Sequence, residues 1–475
     1  MRTLIWFRGK DLRLADHQAL ASAASSEELI PLFVLDPYFF EPARAESTPH
    51  RSAFLLQSIA DLQRSLHALG SRLLLVHGRS AEVVPELARR WKVQRVVAQA
   101  WVAPLGRERD RRVRASLDVP FELFEGETLL PPGSLRTGEG TPYSVFTPFA
   151  RAFARVSNIG PPLPPPQRLP ALPREVEADP LAVTDLPSLA DLGLSFNPAL
   201  QPGGEREARQ RLSCFLEQGA AKYHEQRDRM DLPGTSRLSA DLKFGTLSIR
   251  EVWTRAQEIS GAAQPKFLSE LVWREFAHST LWDRPELMTE PFRPKFENFP
   301  WRSDDAAWSA WVEGRTGYPV VDASARQLLT EGFVHNRARM ISASFLTKDL
   351  LIDYKRGEAH YMRYLTDADW ANNNAGWQWS AGCGSDAQPY FRIFNPVTQG
   401  QKFDPDGAYV RHWVPKLGRL PTRYVHCPWE APEATLAEAG VRLGIDYPLP
   451  IVEHAGARQR FLEVASQHFA LNGHA

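Results

Sequence analysis

Cysteine is scarce in this chain of 475 residues, which contains only Cys214, Cys383 and Cys427. The three lie far apart, and no Cys-x-x-Cys pair or Cys/His spacing of a zinc site occurs. An odd, sparse number of cysteines is typical of a reducing compartment. The first residues, MRTLIWFRGKD, also lack the layout of a signal peptide. We therefore expect a cytoplasmic protein with no bound metal.

An excess of charge of one sign and a long hydrophobic run are missing as well. Lys plus Arg equals Asp plus Glu, at 56 each, so a nucleic-acid-binding surface must be a local basic patch. The chain contains no uninterrupted apolar run long enough to span a bilayer. We expect a soluble protein that does not bind a membrane.

The first 130 residues alternate short apolar runs with helical patterns. Such runs are typical of buried parallel strands, and one helical pattern ends on Gly70, a usual helix terminator. The alternation predicts a doubly wound α/β domain with a parallel sheet over residues 1–130. Neither G-x-G-x-x-G nor a Walker loop occurs there, so a standard dinucleotide site is not expected in this domain. The predicted strands are Thr3–Phe7, Leu29–Asp36, Arg72–Gly78 and Arg95–Ala100.

The remainder of the chain divides into a connector and a helical region. Residues 131–204 include the proline-rich run GPPLPPPQRLPALP, which favours extended, semi-rigid chain. Amphipathic helical patterns dominate residues 205–475, so we predict a large all-α domain there, with most of the 14 Trp. The clearest predicted helices are Glu205–Gln218, Ile249–Ile259, Lys266–Leu281 and Gln327–Asp353.

The segment GTSRLSADLKFG, Gly234–Gly245, brings hydroxyl side chains to a predicted helix start. Hydroxyls and unpaired N–H groups at such a position can hold a phosphate or pyrophosphate. The same side chains can also act as ordinary N-caps. The segment alone leaves both interpretations open.

The segment SELVWREFAH places three functional side chains on one face of a predicted helix. Glu270, Trp273 and Arg274 are three and four residues apart, which is the spacing of helical neighbours. A surface ion pair would explain Glu270 and Arg274. A carboxylate next to an indole could instead hold a planar heterocycle by stacking on it and bonding its edge.

The segment FVHNRARM places Asn336 and Met340 on one face of another predicted helix. Buried arginines such as Arg339 need anionic partners, and the candidates are Asp367 and Asp369 in DADWANNN. A metal site at the two aspartates is not expected, because no third hard ligand lies nearby in the sequence.

The stretch WANNNAGWQW, residues 370–379, sets three amides among three indoles. On a helix Trp377 and Trp379 would face about 200° apart, so they cannot serve the same core. One indole could then face a ligand while the other packs elsewhere. The alternative is a helix start with Asn as N-cap and Trp packed in the core.

Eight phrases of the sequence, taken in order, are long and specific. They are WFRGKDLRL, VFTPF, GTSRLSADL, ELVWREF, GRTGYPVVDA, HNRARM, DADWANNNAGWQW and PYFRIFNPVTQGQKFDPDG. In this order they resemble the photolyase/cryptochrome flavoprotein family, and most of all its bacterial members that repair cyclobutane pyrimidine dimers. The resemblance runs from about residue 3 to about residue 465.

The resemblance implies an α/β domain, a linker and a helical domain that binds FAD. Asn373 would place its amide near the flavin, where an uncharged group can hydrogen-bond the ring in more than one redox state. The other two Asn of the triplet would only cap and turn the backbone. Arg339 would pair with the aspartates of DADWANNN. The residues implied to hold FAD are Tyr223, Thr235, Ser236, Arg237, Leu238, Ser239, Arg339, Asp367, Asp369 and Asn373.

For the reaction, the resemblance implies that light drives an electron from reduced FAD into a pyrimidine dimer flipped out of double-stranded DNA. The pyrimidine dimer splits and returns the electron to FAD. We expect the protein to act as a monomer. The residues implied in catalysis are Glu270, Trp377, Tyr354, Trp301 and Asn373. The residues implied to line the lesion pocket or grip DNA are Arg227, Glu270, Trp273, Asn336, Arg337, Met340, Trp379, Arg392 and Gln399.

The segment after the fourth predicted strand departs from a common family pattern. Many relatives carry an Asn-Glu pair there that holds a folate antenna. This chain reads APLGRERD, which is more similar to relatives that bind a deazaflavin or a second flavin. We expect a second, antenna chromophore of the deazaflavin, FMN or folate type, without a choice among them.

The electron supply to the flavin departs from the family pattern too. Members usually relay electrons through three Trp, and Trp377 and Trp301 match the first and last positions. Tyr354 occupies the middle one. Because a buried Tyr must release its proton on oxidation, and its ordinary pKa is about 10, passage through Tyr354 should be slow. A branch through another indole, such as Trp370 or Trp413, could replace it.

Three other functions compete with dimer repair. A cryptochrome photoreceptor has the same fold, but the matching lesion-pocket positions and the lack of a long tail after about Ala465 count against it. A (6-4) photolyase tends to present His where this chain has Asn336 and Met340. An unrelated helical flavin oxidoreductase would need a nicotinamide cofactor and no DNA.

Overall fold

The computed structural model describes residues 1–156, 158–183 and 185–471. Positions 157 and 184 of the predicted connector, and residues 472–475 of the predicted helical domain, lie outside the described residues. The chain divides into two compact units. Unit 1 comprises Met1–Ala221, Ser236–Pro285 and Thr366–Ala371, and unit 2 comprises Lys222–Thr235, Glu286–Leu365 and Asn372–Ala475.

Unit 1 is built around a five-stranded sheet in which every neighbouring pair is parallel. The strands are β1 Arg2–Phe7, β2 Glu28–Leu35, β3 Leu74–His77, β4 Arg95–Gln99 and β5 Phe121–Phe124. Their order in the sheet is β3-β2-β1-β4-β5, so the chain winds outward on one side of β1 and then on the other. The predicted α/β domain is confirmed. The four predicted strands agree to within two residues at each end, and the short β5 was not predicted.

Both faces of this sheet are buried, as continuous apolar strands require. Along β1, Ile5 and Phe7 pack into the core on one face, and Leu4 and Trp6 pack into the core on the other. All four are at most 1% exposed. Because both faces are covered, the ends of the strands and their loops are the parts of the sheet that can present functional side chains.

The long helical pattern before Gly70 forms a helix that ends as predicted, with Gly70 at a φ of 77°. The first nine helices belong to unit 1. In chain order they are α1 Gln18–Ala23, α2 Pro37–Phe40, α3 Pro42–Glu46, α4 Pro49–Ala68, α5 Ser80–Arg90, α6 Pro104–Ser116, α7 Phe146–Val156, α8 Arg174–Glu177 and α9 Glu205–Gln218.

The remaining described chain is helical, which confirms the predicted fold class. The helices are α10 Tyr223–Gln226, α11 Ser239–Phe244, α12 Ile249–Ala256, α13 Ala263–Asp283, α14 Asp305–Val312, α15 Pro319–Glu331, α16 Asn336–Ser344, α17 Tyr354–Tyr364, α18 Trp370–Ala381, α19 Pro396–Phe403, α20 Ala408–Trp413, α21 Glu433–Ala439 and α22 His454–Leu471. A π-helical turn spans Phe345–Asp349. Short 3-10 turns span Ala190–Leu192, Ala220–Lys222, Pro285–Met288, Pro294–Phe296, Pro415–Leu417, Thr422–Tyr424 and Pro428–Glu430. No helix of the described residues is long and apolar enough to cross a membrane.

The prediction of one continuous helix over Gln327–Asp353 is wrong. The helix α15 ends before Gly332, whose φ of 60° is the left-handed conformation of a helix terminator. A new helix, α16, then starts behind His335, whose side chain accepts a hydrogen bond from the Arg337 N–H. Hydrophobic spacing continues across this break, and therefore periodicity alone did not reveal it.

The predicted connector contains more structure than an extended chain. Its Val183 pairs with Leu75 of β3 through an antiparallel bridge, and the Val176 side chain is fully buried. The helices α7 and α8 also lie within it. The described part of residues 131–204 thus packs as part of unit 1, while the boundaries at 130 and 204 stay a prediction.

Candidate functional site

The helix α18 carries the amide triplet. It begins at Trp370, so the three Asn lie inside its first turns, and the N-cap interpretation is wrong. Asn372 is exposed, whereas Asn373 is buried. The Asn373 Nδ2 donates to the main-chain oxygen of Glu358 at 3.1 Å. Because the amino side of this amide is bound to a carbonyl, its Oδ1 is the atom left to meet a donor.

Asn374 holds together a buried polar network in unit 2. Its Nδ2 donates to Glu358 Oε1 at 3.1 Å and to the Leu287 oxygen at 2.9 Å, and its Oδ1 accepts from Gln378 Nε2 at 3.1 Å. The expectation that Asn374 only caps the backbone is therefore wrong. Burial raises the pKa of Glu358 to about 7, although the bond from Asn374 favours the charged form.

Trp377 and Trp379 occupy different environments, as their spacing predicts. Trp377 is 3% exposed, whereas Trp379 is half-buried. The Trp377 ring meets Tyr361 edge-on, with the centroids 5.0 Å apart, and lies 6.1 Å from the ring of Trp311. A methyl group at Gly357 would come within 2.2 Å of the Trp377 ring, so the indole rests directly on the backbone of α17.

Tyr354 lies at the start of α17, with its ring centroid 6.4 Å from that of Trp301. Its buried hydroxyl has the Cys383 thiol beside it. Burial raises the pKa of Tyr354 far above its ordinary value, and the nearby Cys383 raises it further. The phenol is therefore poorly placed to release a proton.

Asp369 belongs to a buried charge cluster in unit 1. The Lys10 ammonium bonds Asp369 at 2.9 Å and also bonds Glu127. Burial disfavours all these charges, but their mutual attraction outweighs it. This attraction raises the pKa of Lys10 and lowers the pKa of the Glu127 and Asp369 carboxyl groups. His278 Nε2 lies 3.5 Å from Glu127 and 3.6 Å from Asp369.

A hydrogen bond locates a proton on one ring nitrogen of His278. Its Nδ1 lies 2.8 Å from the Arg274 main-chain oxygen, which can only accept, so Nδ1 carries a proton. The Nε2 atom of the same ring faces the two carboxylates. We name these four residues, Lys10, Glu127, His278 and Asp369, the charge cluster.

Three members of the charge cluster could in principle bind a metal ion. One ligand atom from each of Glu127, His278 and Asp369 lies within 4.8 Å of the others. However, the Lys10 ammonium already bonds both carboxylates. A metal ion would have to displace that ammonium.

The helix α13 in unit 1 carries Glu270, Trp273 and Arg274, as predicted. The Trp273 ring stacks face to face on Phe146, with centroids 3.6 Å apart and planes inclined by 6°. Both rings are half-buried. The Arg274 Nη1 donates to the main-chain oxygen of Glu127 at 2.7 Å. Trp273 therefore has one face fixed by Phe146, and a half-buried carboxylate, Glu270, lies one turn away on the same helix.

The helix α16 in unit 2 carries the next predicted group. Asn336 Nδ2 approaches Met340 Sδ at 3.6 Å, so these two side chains lie together, as their spacing predicts. Arg337 Nη2 pairs with Asp228 at 2.8 Å. Arg339 Nε instead donates to the Val334 main-chain oxygen at 2.8 Å, so the two arginines have different partners.

Two further predicted DNA contacts lie on either side of the start of α19. Arg392 is exposed, and its main-chain oxygen accepts a hydrogen bond from the buried Lys348 at 2.8 Å. Gln399 is half-buried on α19. Arg227, in contrast, lies 3.8 Å from Asp228 and 5.8 Å from the Tyr223 ring. Asp228 thus already neutralises part of the charge that Arg227 and its neighbours could offer to DNA.

The hydroxyl segment opens α11 without a side-chain cap. The N-cap residue is Leu238, which makes no capping bond, so the interpretation as an ordinary Thr or Ser cap is wrong. Arg237 has a φ of 53°. In unit 1, burial lowers the pKa of Arg51 to about 10, and burial with repulsion from Arg51 lowers that of Lys243. A nearby anion would relieve both cations.

Sequence reasoning missed four residues that the structure brings to these groups. Lys10 had a usable signal, since it follows β1 directly and the carboxyl ends of parallel strands are where such sheets place functional groups. Glu127 and His278 had none, because they meet Asp369 only through the fold. Trp311 is likewise distant in sequence from Trp377.

Comparisons with known proteins show similarity along most of the chain. The family model of the DNA photolyase matches residues 3–170, and that of the FAD binding domain of DNA photolyase matches residues 267–467. The deoxyribodipyrimidine photo-lyase of Agrobacterium fabrum is 40% identical over 468 residues, covering 97% of this chain and 96% of that protein. One from Thermus thermophilus is also 40% identical, covering 97% and 98%.

Solved structures show the same fold over nearly the whole chain. A bacterial class III photolyase from Agrobacterium tumefaciens has a TM-score of 0.89 and 37% identity, covering 98% of this chain and 97% of its own. A cryptochrome from Synechocystis has a TM-score of 0.88 and 30% identity, covering 98% and 99%. An archaeal photolyase from Sulfolobus tokodaii with two FAD molecules has a TM-score of 0.82 and 28% identity, covering 98% and 100%. With relatives about 40% identical along almost its full length, this chain belongs to the photolyase/cryptochrome family.

Proposed function

We propose that this chain is a light-driven DNA repair enzyme that uses FAD to split cyclobutane pyrimidine dimers. The observation that carries the function is the identity of 40% with deoxyribodipyrimidine photo-lyases over 97% of the chain. The family's FAD binding domain matches the helical part, residues 267–467. The cryptochrome, (6-4) and nicotinamide-dependent alternatives have weaker support, because the curated relatives are dimer photo-lyases.

The residues proposed to hold FAD suit a molecule with a planar flavin ring and a doubly anionic pyrophosphate. The uncapped start of α11 leaves N–H groups for a pyrophosphate, and Arg51 and Lys243 carry charge that burial disfavours. We assign Tyr223 and the segment Thr235–Ser239, with Arg237 and Leu238 in it, to the phosphates and ribose. Arg339, Asp367, Asp369 and Asn373 are assigned to the flavin.

Asn373 presents an acceptor to a hydrogen on the flavin edge. Its amino group is fixed by the Glu358 carbonyl at 3.1 Å, so the amide cannot turn to present a donor without losing that bond. Asp369 is held ionised by Lys10 and can accept from a second ring hydrogen. When bound and reduced, FAD supplies the light-excited electron donor of the reaction.

The lesion-binding residues are proposed to recognise a flipped dimer by stacking and edge contacts. Trp273 is fixed on one face by Phe146, so its ring is oriented before a substrate arrives, which lowers the entropic cost of binding. Glu270, Asn336, Met340 and Trp379 are assigned to the same lesion. Arg227, Arg337, Arg392 and Gln399 are assigned to the DNA backbone around it, the local basic patch that a chain of zero net charge requires.

An antenna chromophore is proposed to bind near α6, which carries the segment APLGRERD. Arg8 and Arg109 lie over the rings of Trp6 and Trp101 at 4.3–5.7 Å, and Arg8 Nε and Nη2 are buried without partners among the described atoms. These donors suit the anionic or carbonyl groups of a deazaflavin, FMN or folate. Absorption spectra and mass analysis of the extracted chromophores test this assignment.

The decisive experiment for the function is repair of defined DNA. Reduced holoenzyme is incubated with a duplex containing one cyclobutane thymine dimer, with and without blue light, and intact thymines are counted by chromatography. We expect repair in light and none in darkness. Repair only of a (6-4) product, or turnover of nicotinamide without DNA, would overturn the assignment in favour of an alternative.

Location and assembly are proposed from weaker observations. The three cysteines are free, which supports a reducing cytoplasm as the working compartment. We infer a monomer that acts on double-stranded DNA. Sedimentation of the protein with and without a dimer-containing duplex tests this, and a protein dimer in both conditions would contradict it.

A further inference from the structure

Trp377 contacts an indole that the sequence motifs do not include. Its ring centroid lies 6.1 Å from that of Trp311, and Trp311 stacks on Trp308 at 5.5 Å with planes inclined by 28°. Trp377 and Trp311 are 3% and 2% exposed, whereas Trp308 is half-buried. These three residues, named here the indole branch, lead from the interior of unit 2 to its surface in two short steps.

The two inner rings of the indole branch are held by a shared neighbour. Tyr361 meets Trp377 edge-on at 5.0 Å and lies nearly parallel to Trp311 at 6.0 Å and 17°. Gly357 leaves no space between the backbone of α17 and Trp377. The indoles therefore keep one relative orientation, and their π-systems stay in close contact.

The route through Tyr354 is chemically harder. Oxidation of a phenol at neutral pH requires loss of its proton, and burial raises the pKa of Tyr354 far above its ordinary value. The Cys383 thiol beside its hydroxyl cannot take that proton, because burial raises the pKa of Cys383 and keeps the thiol protonated. An indole, in contrast, can lose an electron and keep its N–H proton for a time, so a step from Trp377 to Trp311 needs no simultaneous proton transfer.

Resting on the proposed function, we propose that the electrons that reduce oxidised FAD enter through Trp308, Trp311 and Trp377, and not through Trp301 and Tyr354. One electron leaves Trp377 for the light-excited cofactor, one moves from Trp311 to Trp377, and one from Trp308 to Trp311. The electron deficit ends on Trp308, whose N–H proton passes to water. An external thiol then donates one hydrogen atom, which restores the indole and leaves a thiyl radical.

The charges around Trp308 favour this end point. The Arg356 guanidinium lies 4.5 Å from the centre of the ring and is paired with Asp305 at 3.1 Å. A cation beside the ring opposes the positively charged radical and so promotes loss of the indole proton, and the neutral radical that remains is free of this repulsion. His360 packs edge-on against Trp308 and Trp311, but burial lowers its pKa to about 4, so it is neutral at pH 7.

Flash photolysis of the holoenzyme with oxidised FAD tests the indole branch against the Tyr354 route. Trp311→Phe should lower the yield of the long-lived indole radical at least about tenfold, while the matched Tyr354→Phe and Trp301→Phe should change it less than about twofold. A collapse in Tyr354→Phe with an unchanged yield in Trp311→Phe would overturn the proposal.

A second measurement, the response of the radical's decay to thiol, reports which indole carries the radical. A substitution that only perturbed the structure would not change this response. In the unmodified protein the decay of the radical should accelerate with thiol concentration, because Trp308 reaches solvent. In Trp308→Phe the deficit stops on buried Trp311, and the decay should no longer respond to thiol. A decay that still responds would contradict the assignment of Trp308.

Dimer repair by chemically reduced enzyme separates this proposal from the proposed function. Trp311→Phe and Trp308→Phe should repair at the unmodified rate once reduced, since neither is assigned to the lesion or to FAD. If the unmodified reduced enzyme repairs no dimers, the function fails. If it repairs dimers but the two variants photoreduce normally, only the indole branch fails.

Discussion

Asp369 and Asn373 are four residues apart in the sequence, yet they belong to polar networks of opposite character. In unit 1, Asp369 joins the charge cluster, where attraction to Lys10 lowers the pKa of both carboxyl groups. In unit 2, Asn373 and Asn374 join an amide network whose one carboxyl, Glu358, has its pKa raised to about 7 by burial. Burial alone does not decide the charge of a buried acid, because a buried ammonium reverses its effect.

The outward-facing groups of the two units also differ. The predicted substrate contacts of unit 1 are the Trp273 ring, stacked on Phe146, and the half-buried Glu270 carboxylate on the same helix. The predicted contacts of unit 2 include arginines, of which Arg392 is exposed. The predicted contacts to the DNA backbone all belong to unit 2, whereas the predicted lesion contacts are divided between the two units.

The largest expected effect comes from removing the cation of the charge cluster. Lys10→Met leaves two buried carboxylates without their ammonium, and we expect the free energy of unfolding to fall by about 3–5 kcal/mol in urea titrations. The control is Lys266→Met, at an exposed position of unit 1. Adding Asp369→Asn to Lys10→Met should restore part of the loss. A loss under about 1 kcal/mol would mean that the cluster is not held by charge.

The next effect tests the amide network through pH. The pKa of Glu358 is raised from 4.5 to about 7, so its contribution to stability is complete below pH 4.5 and is lost as the pH rises through 7. This loss amounts to as much as about 3 kcal/mol. Glu358→Gln should remove this part of the dependence of stability on pH. At pH 8 the variant should be more stable than the unmodified protein. Glu433→Gln, at an exposed site, should keep this dependence.

The stack of unit 1 should control discrimination and not salt dependence. Trp273→Ala is expected to weaken binding of dimer-containing DNA by about 1–3 kcal/mol while leaving intact DNA unaffected. Trp253→Ala serves as the matched control, since that half-buried indole of the same unit packs on Phe153. Equal losses for damaged and intact duplex would assign Trp273 to general DNA contact instead.

The smallest effects concern the arginines of unit 2. Arg392→Ala should lower the slope of log affinity against log salt by about one unit for any duplex. Arg337→Ala should change it less, because Asp228 already holds that guanidinium at 2.8 Å. Arg458→Ala, at an exposed position on α22, provides the control. A larger effect at Arg337 than at Arg392 would show that the Asp228 pair opens on DNA binding.

Local patterns predicted the local features of this molecule well. The strands of the sheet, the helix Glu205–Gln218 and the pairing of Asn336 with Met340 all follow from the spacing of side chains within one element. The sequence patterns did not predict the end of a helix at Gly332 or the contacts between residues that are distant in the sequence. The break at Gly332 depends on a backbone conformation that hydrophobic spacing does not show.

The interior partners of the site could not be read from neighbouring residues. Lys10 reaches Asp369 across 359 positions of the chain, and Trp311 reaches Trp377 only because their helices pack together. The role of Asn374 was missed for the same reason, since its partners Leu287 and Glu358 come from other segments. The assigned site residues themselves stay predictions until they are tested.

Gly357 has a consequence for the response of Trp377 to a change of charge. A glycine inside a helix lowers its stability by about 1 kcal/mol relative to alanine, yet even a methyl group here would overlap the indole at 2.2 Å. The ring thus lies against a peptide backbone and packs on the rings of Tyr361 and Trp311, and these contacts oppose its rotation. A group held in this way has little geometry to readjust when an electron leaves it, so the reorganisation energy of that step should be small.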